Sequence, residues 1–318
     1  MMDQALSHLR EDGAAVHAGG TDLLGCLRDG IMDSRKVVSI TGLTDLTGIR
    51  ETADGGLRLG CLTTISDLTG NPMIREQYPA LAQGAAAVAS PQLRNQGTLG
   101  GNLCQKPRCW YYRGEFHCLR KGGDRCFALK GENQFHAIFG HDNICAITHP
   151  SDTAPVLIAL DARVRITGPG GRRTVPVADM HVPPAVNVRA ETVLKQGEII
   201  THVDIPPPPP GLYSTYRKIR ARRAWDFALA GAALALSIED GRIKDSRVVL
   251  SGAAPVPWRS LTTEQALAGR ALDSDTITKA AAAAVAGAVP LRKNGYKVDM
   301  FRGMMEEELH KAAAALSS

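Results

Sequence analysis

The chain has 318 residues, of which 44% are hydrophobic and 22% charged, and a formal net charge of +5. This length suits two domains with ordinary cores, and the scattered Lys and Arg form no continuous basic face of the kind that binds nucleic acid. No apolar run is long enough for a membrane span, and the N-terminus has no basic start followed by an apolar stretch, so no export signal is read there.

In chain order, residues 3–10 predict a helix with one apolar face, followed by a short strand at Ala14 to His17 that runs into Gly19-Gly20. Thr21 to Leu27 predict a second helix, with Thr21 placed to cap it. Val37 to Ile40 and Leu57 to Leu59 are strand-like, and Ala53-Asp54-Gly55-Gly56 is a turn between them. Ile65 to Leu68 and Ala80 to Val88 are helical. From Cys104 to Ile144 no period holds, so this stretch predicts an ordered, irregular insertion that is functional or stapled. Ser151-Asp152 then opens a capped amphipathic helix, and Val164 to Ile166 with Arg173 to Val175 predict a hairpin around Gly168 to Gly171. Five prolines at 206–210 cannot continue a helix or a central strand and favour a stiff connector. This divides the chain into a domain at 1–206, a linker at 207–211 and a second domain at 212–318. The second domain carries strand-like YSTYRKI, a long apolar Phe227 to Leu236 segment, the strand RVVLSGAAPVP and an alanine-rich helix at Thr278 to Val289.

Five of the seven cysteines fall between Cys104 and Cys145. Cys109, Cys118, Cys126 and Cys145 are strung between Lys106, Arg108, Arg113, Arg120, Lys121 and Arg125. Four thiolates can close the shell of an iron–sulfur cluster or a tetrahedral zinc. A disulfide framework suits short secreted chains better than this one. Buried inert thiols are the remaining reading, and it suits the isolated Cys26 and Cys61. Two glycine-rich stretches point to a dinucleotide. In VHAGGTDLLG a strand meets a Gly-Gly turn and a helix start, where the backbone can approach a diphosphate. SPQLRNQGTLGGNL (90–103) alternates glycine with small polar side chains, as a loop wrapping a flat or anionic ligand does. Each stretch is also compatible with an ordinary turn or a tightly packed sheet corner. In HPSDTAP, Asp152 either caps a helix or accepts from a ribose or ribityl hydroxyl. His136 and His149 are potential metal ligands or structural histidines, and Asp226 is placed to pair with Arg222 or Arg223 or to sit near a ligand. No GxSxG, HExxH or paired-carboxylate signature is present, so the chain reads as a cofactor holder with no catalytic residue of its own.

Taken together, AGGTDLL (18–24), QLRNQGTLGGNL (92–103), THPSDTAPVLIALDA (148–162) and GEII (197–200) resemble the FAD-binding medium subunit of the molybdenum hydroxylase, or xanthine oxidase, family. Arg217-Lys218 and SGAAPVPWR (251–259) are similar to its C-terminal domain. The four-cysteine insertion resembles the extra [4Fe–4S] loop of some members, with the aldehyde oxidoreductase branch nearer than the 4-hydroxybenzoyl-CoA reductase branch. The resemblance implies an α+β fold: a PCMH-type FAD-binding domain of α/β subdomains, then a small α+β domain like that of CO dehydrogenase flavoproteins. It implies that Ala18, Gly19, Gly20, Thr21, Asp22, Leu23 and Leu24 contact the FAD diphosphate, and that Gln96, Gly97, Thr98, Gly100, Gly101 and Asn102 line the flavin and its diphosphate. Asp152 would hold ribityl or ribose hydroxyls, and Lys218 would lie near the flavin. Cys109, Cys118, Cys126 and Cys145 would ligate the cluster, with Cys104 in reserve.

The implied enzyme is a heterotrimeric oxidoreductase. A large molybdopterin-binding subunit oxidises an aldehyde or related substrate, and a small [2Fe–2S] subunit passes electrons to FAD here and on to an external acceptor such as ferredoxin or quinone. A 4-hydroxybenzoyl-CoA reductase-like β subunit and a zinc-stapled, non-catalytic module are the alternatives. Where xanthine dehydrogenases carry a lysine, this chain has Leu229, which disfavours NAD as acceptor. The expected place is the cytoplasm, or the periplasm by co-export with a twin-arginine-signalled small subunit. Arg120 and Lys121 are expected to face an acidic acceptor protein.

Overall fold

The computed structural model describes residues 2–316. The first helix, Met2–Leu9, buries Ala5, Leu6 and Leu9 on one face and leads into β1 (Ala14–His17), which pairs in parallel with β2 (Lys36–Ser39). The helix between them is Leu23–Arg28, shorter than expected, and Thr21 does not cap it. Asp22 holds the cap position but makes no side-chain cap bond, because its carboxylate is used elsewhere. A second sheet follows, built from β3 (Ile49–Glu51), β4 (Leu57–Gly60), β5 (Arg163–Gly168), β6 (Gly171–Pro176) and β7 (Ile199–Ile205) in the order β3-β4-β7-β5-β6, antiparallel throughout. Its β5–β6 hairpin turns at the anticipated glycines.

The sheet's inner face packs on helices Ile65–Gly70, Pro79–Ala87 and Thr153–Ala159. Thr64 closes a capping box with Asp67 at the first of these helices, so its start is fixed locally. Thr153–Ala159 departs from expectation: every residue in it is buried, so it is a central helix and not an amphipathic one. Its start is satisfied by Ser151 Oγ, which accepts from the Ala154 amide at 3.0 Å, while Asp152 does not cap.

Beyond the prolines, β8 (Tyr213–Ile219), β9 (Ala230–Glu239), β10 (Arg242–Ser251) and the two-residue β11 (Trp258–Arg259) form an antiparallel sheet in the order β11-β10-β9-β8. β9 alternates Ala and Leu and is buried on both faces. One face meets helices Leu261–Leu267, Ser274–Ala283 and Tyr296–Leu316, and the other meets the first domain through Tyr216, Ala233, Ala235 and Val249. The 21-residue terminal helix is the longest in the chain and has no counterpart among the expected elements. Its apolar positions are diluted by Glu306, Glu307, Glu308 and Lys311, which hides the period. It inserts Phe301, Met305 and Leu309, all fully buried, into the C-terminal core. Among the described residues no helix is long and apolar enough to cross a membrane.

Phe301→Ala is expected to lower the stability of the C-terminal core by about 3–5 kcal/mol. Urea unfolding followed by circular dichroism measures this, and a loss below about 1 kcal/mol contradicts the anchoring role.

Candidate functional site

Two glycine turns face each other across a cleft. Gly19 touches the Gln96 carbonyl so closely that a Cβ there collides with it, and Gly20 has φ +72°, which favours glycine. Opposite, Thr98 caps the short helix Leu99–Leu103 by accepting from the Gly101 amide at 3.2 Å. Asn102 ties this turn to the central helix: its Oδ1 accepts from Ser151 Oγ at 2.5 Å and from Thr153 Oγ1 at 2.7 Å.

The cleft divides into two cavities that share a wall of Thr21, Asp22, Thr98, Gly101 and Gln105. One, of about 390 Å³, is lined by Ala18, Gly19, Gly20, Leu23 and Gly100 over an apolar floor. The other, of about 170 Å³, lies against the C-terminal domain and is lined by Gly97, Asn102, Asp152 and Lys218. With backbone glycines lining one cavity and Trp225 and Phe227 lining the other, the cleft suits an extended dinucleotide.

Most of the expected binding residues line this cleft, with three qualifications. Leu24 is 55% exposed and lies outside both cavities. Gln96 points to solvent and contributes the carbonyl that backs Gly19. Asp152 is not a free acceptor. Its Oδ1 takes a 2.7 Å hydrogen bond from the Tyr216 hydroxyl and its Oδ2 a 2.8 Å bond from Lys218 Nζ. Burial pushes the Asp152 carboxyl above its usual range, opposed by Lys218 and Tyr216. Lys218 also donates to the Ala87 carbonyl. The pair therefore bonds the two domains as well as lining the cavity.

The sequence reading did not single out three lining residues. Trp225 is 65% exposed and sits at φ +52°, with its amide donating to the carbonyl of Ala89, itself at φ +42°. Two non-glycine residues in the left-handed region at one cavity mouth mark a constrained site. Phe227 lies under the Arg108 guanidinium at 5.3 Å. Nothing in the sequence signals positive φ at Trp or Ala. Asp226 accepts from the Arg222 backbone amide and not from a guanidinium.

Asp22 anchors the cysteine loop. Its Oδ2 accepts from the Lys106 amide at 2.7 Å, and its Oδ1 meets Arg108 Nη1 and Arg113 Nη2, each at 2.8 Å. Arg113 also reaches Cys26 Sγ at 3.0 Å, and Cys26 packs with Ile31, Tyr112 and Cys118. Farther along, Glu191 accepts from Lys106 Nζ at 2.5 Å and from Arg120 Nη1 at 2.9 Å. Arg120 is thus a buried strut, and Lys121 donates to the Gly114 carbonyl, so this pair does not form the expected docking surface.

Cys109, Cys118, Cys126 and Cys145 converge. Cys109 feels the charge of both Cys126 and Cys118, and Cys126 and Cys145 are hydrogen-bonded. The hydrogen bond between them lowers the Cys126 thiol and raises that of Cys145. Backbone amides of Ala128, Leu129 and Ala146 support the Cys126 sulfur, and those of Tyr111 and Tyr112 support Cys109. Amide donors of this kind stabilise sulfur charge and are the usual surroundings of an iron–sulfur cluster. His136 Nε2 lies 3.2 Å from Cys109 Sγ. Among the described residues no three or more His, Cys, Asp or Glu side chains gather tightly enough to hold a single metal ion. Cys104 stands apart from the four. It lines the larger cavity with Cys61, and burial pushes both thiols up to about 12.

Known proteins match this architecture along its length. Residues 1–208 match the family described as FAD binding domain in molybdopterin dehydrogenase, and residues 214–313 the CO dehydrogenase flavoprotein C-terminal domain. The chain is 36% identical over 316 residues to the aldehyde oxidoreductase FAD-binding subunit PaoB of Escherichia coli, covering 98% of this chain and 95% of the relative. It is 27% identical to the carbon monoxide dehydrogenase medium chain of Hydrogenophaga pseudoflava, over 95% of this chain and 90% of that one. A solved structure of carbon monoxide dehydrogenase from the same organism, lacking the Mo-pyranopterin moiety of its molybdenum cofactor, superposes with a TM-score of 0.77 at 26% identity, covering 99% of this chain and 95% of that chain. The chain belongs to the FAD-binding medium subunits of the molybdenum hydroxylase family. It is an oxidoreductase subunit built to bind FAD.

Three results are expected from this geometry. Gly19→Ala weakens FAD binding by about tenfold or more in flavin fluorescence titrations, because overpacking against backbone costs about 1–3 kcal/mol. Asp152→Asn strands the Lys218 ammonium and costs about 3–5 kcal/mol in denaturant unfolding. The third concerns His149 and His181, packed edge to face at 4.2 Å. Burial lowers His149 well below its usual range and His181 to about 4. Both rings stay neutral in the fold while the unfolded chain protonates below about pH 6.5. Stability is therefore full above that pH and falls as pH drops towards 4. Replacing His181 by Gln is expected to flatten the fall in a pH series of melting temperatures.

Proposed function

We propose that this chain is the FAD and [4Fe–4S] electron-transfer subunit of a heterotrimeric molybdenum hydroxylase that oxidises an aldehyde. The substrate site lies on a large molybdopterin-binding subunit, and a small [2Fe–2S] subunit feeds electrons to this one. The observation that carries the reading is the convergence of four cysteines in a loop bolted by Asp22 to the rim of the FAD cleft. The name of the E. coli relative, an aldehyde oxidoreductase FAD-binding subunit, supports the substrate class.

When bound, FAD and the cluster supply the redox chemistry; the chain holds and orients them. Ala18 to Leu23 and Gly97 to Asn102 offer backbone to the diphosphate and ribityl parts. Asp152, fixed by Tyr216 and Lys218, retains lone pairs for a ligand hydroxyl, and Lys218 brings a cation to the flavin end. Arg108 and Phe227 form the wall between this cavity and the one beside Cys109 and His136. Cys109, Cys118, Cys126 and Cys145 would ligate the cluster, the amides around Cys126 and Cys109 offsetting its charge. An external acceptor such as a ferredoxin or a quinone takes the electrons on.

Anaerobic purification of the assembled complex, with iron, sulfide, zinc and flavin quantitation, tests this. About four iron beyond those of the two [2Fe–2S] clusters are expected, with one FAD. Cys126→Ser is expected to lose the extra iron and keep the flavin. Zinc without excess iron overturns the cluster and leaves the loop a structural staple.

A further inference from the structure

One turn of the C-terminal domain grips the cysteine loop from behind. The Lys293 amide donates to Asn133 Oδ1 at 3.0 Å, and Lys293 Nζ pairs with Glu132. Asn294 Nδ2 donates to the carbonyls of His136 at 3.0 Å and Ala137 at 3.1 Å, and the Tyr296 hydroxyl donates to Gln134 O at 2.8 Å. Lys297 completes the grip, its Nζ donating to His136 O at 3.1 Å and Gly252 O at 2.5 Å. The side chain is 0% exposed, and the ammonium meets backbone carbonyls with no carboxylate among the described residues. Burial alone lowers its pKa, to about 7.

An unpaired buried cation is costly, and residues of this kind are kept where a negative group compensates them. Hydrogen bonding does not explain the choice of lysine, because the neutral Asn294 ties the same His136 carbonyl. On the ring side of His136 lies the four-cysteine site, with His136 Nε2 3.2 Å from Cys109 Sγ. A four-iron cluster on four thiolates carries net negative charge and gains more on reduction, and nearby charge sets its potential. The neighbouring cation on the other flank, Arg120, already has Glu191 as partner. We propose that Lys297 is the charge-compensating residue of the four-cysteine site, a positioning residue whose buried cation favours the reduced cluster. This rests on the cluster reading given above.

The test is a redox titration of the assembled complex, monitored by electron paramagnetic resonance, on the wild type, Lys297→Gln and Asn294→Ala. Lys297→Gln is expected to keep its iron and shift the cluster midpoint to lower potential. Asn294→Ala, which loosens the same carbonyls without removing charge, is expected to leave the midpoint in place. An unmoved midpoint in iron-replete Lys297→Gln overturns the proposal, as does an equal shift in both variants. If Lys297→Gln loses its iron, Lys297→Arg decides: iron retained at the wild-type midpoint supports a charge role, and iron lost there too overturns it. A wild-type complex without the four extra irons overturns the cluster reading instead, a result separate from any shift in midpoint.

Discussion

Everything about the two candidate sites depends on the carboxylate of Asp22. It stands at the turn where β1 gives way to the helix Leu23–Arg28, and it holds the Lys106 amide and the Arg108 and Arg113 guanidiniums. A charged acceptor with three donors, largely shielded from water, is far stronger than an exposed ion pair. It spares the short helix a cap and spends the group on a segment some 85 residues away in sequence, as the spacing from Asp22 to Lys106, Arg108 and Arg113 shows. The FAD turn and the cysteine loop are thus one mechanical unit, and Arg108 lies in the walls of cavities on both sides of it.

A second buried ionic network works across the domain boundary. Asp152 at the start of the central helix, Lys218 and Tyr216 on β8, and Ser251 at the end of β10 form a continuous chain, with Ser251 Oγ 2.9 Å from the Tyr216 hydroxyl. Such networks specify one packing arrangement more than they add net stability. Here that arrangement sets the width of the cavity lined by Asp152 and Lys218, so domain packing and ligand geometry are fixed by the same side chains. The C-terminal domain contributes again through Asn294 and Lys297, which hold the backbone next to Cys109. It thus walls the smaller cavity and backs the cysteine loop.

How much could be read beforehand varies with the range of the interactions involved. The glycine turns, the hairpin at Gly168 to Gly171 and strands such as Tyr213–Ile219 follow local rules and were legible. The helix Thr153–Ala159 was placed, but its burial was not, because an apolar run looks alike whether one face or all faces are covered. The terminal helix was missed because Glu306, Glu307 and Glu308 interrupt its apolar period, although Glu308 itself is buried. Cys104 was set apart from the four in the sequence, but only packing sends it to the cavity wall beside Cys61.

The sequence by itself determined the family, the order of the two domains, the phosphate-type turns and the group of four cysteines, because each is carried by residues close together in the chain. Only the tertiary structure decided what the charges do. Asp22 became the clamp of the cysteine loop, Asp152 the partner of Lys218 and Tyr216, Arg120 a buried strut, and Lys297 a buried amine held by backbone carbonyls. A charged side chain in a sequence carries no record of its partner or its depth. Those are set when distant segments pack and water leaves, and there the strength of each interaction is decided.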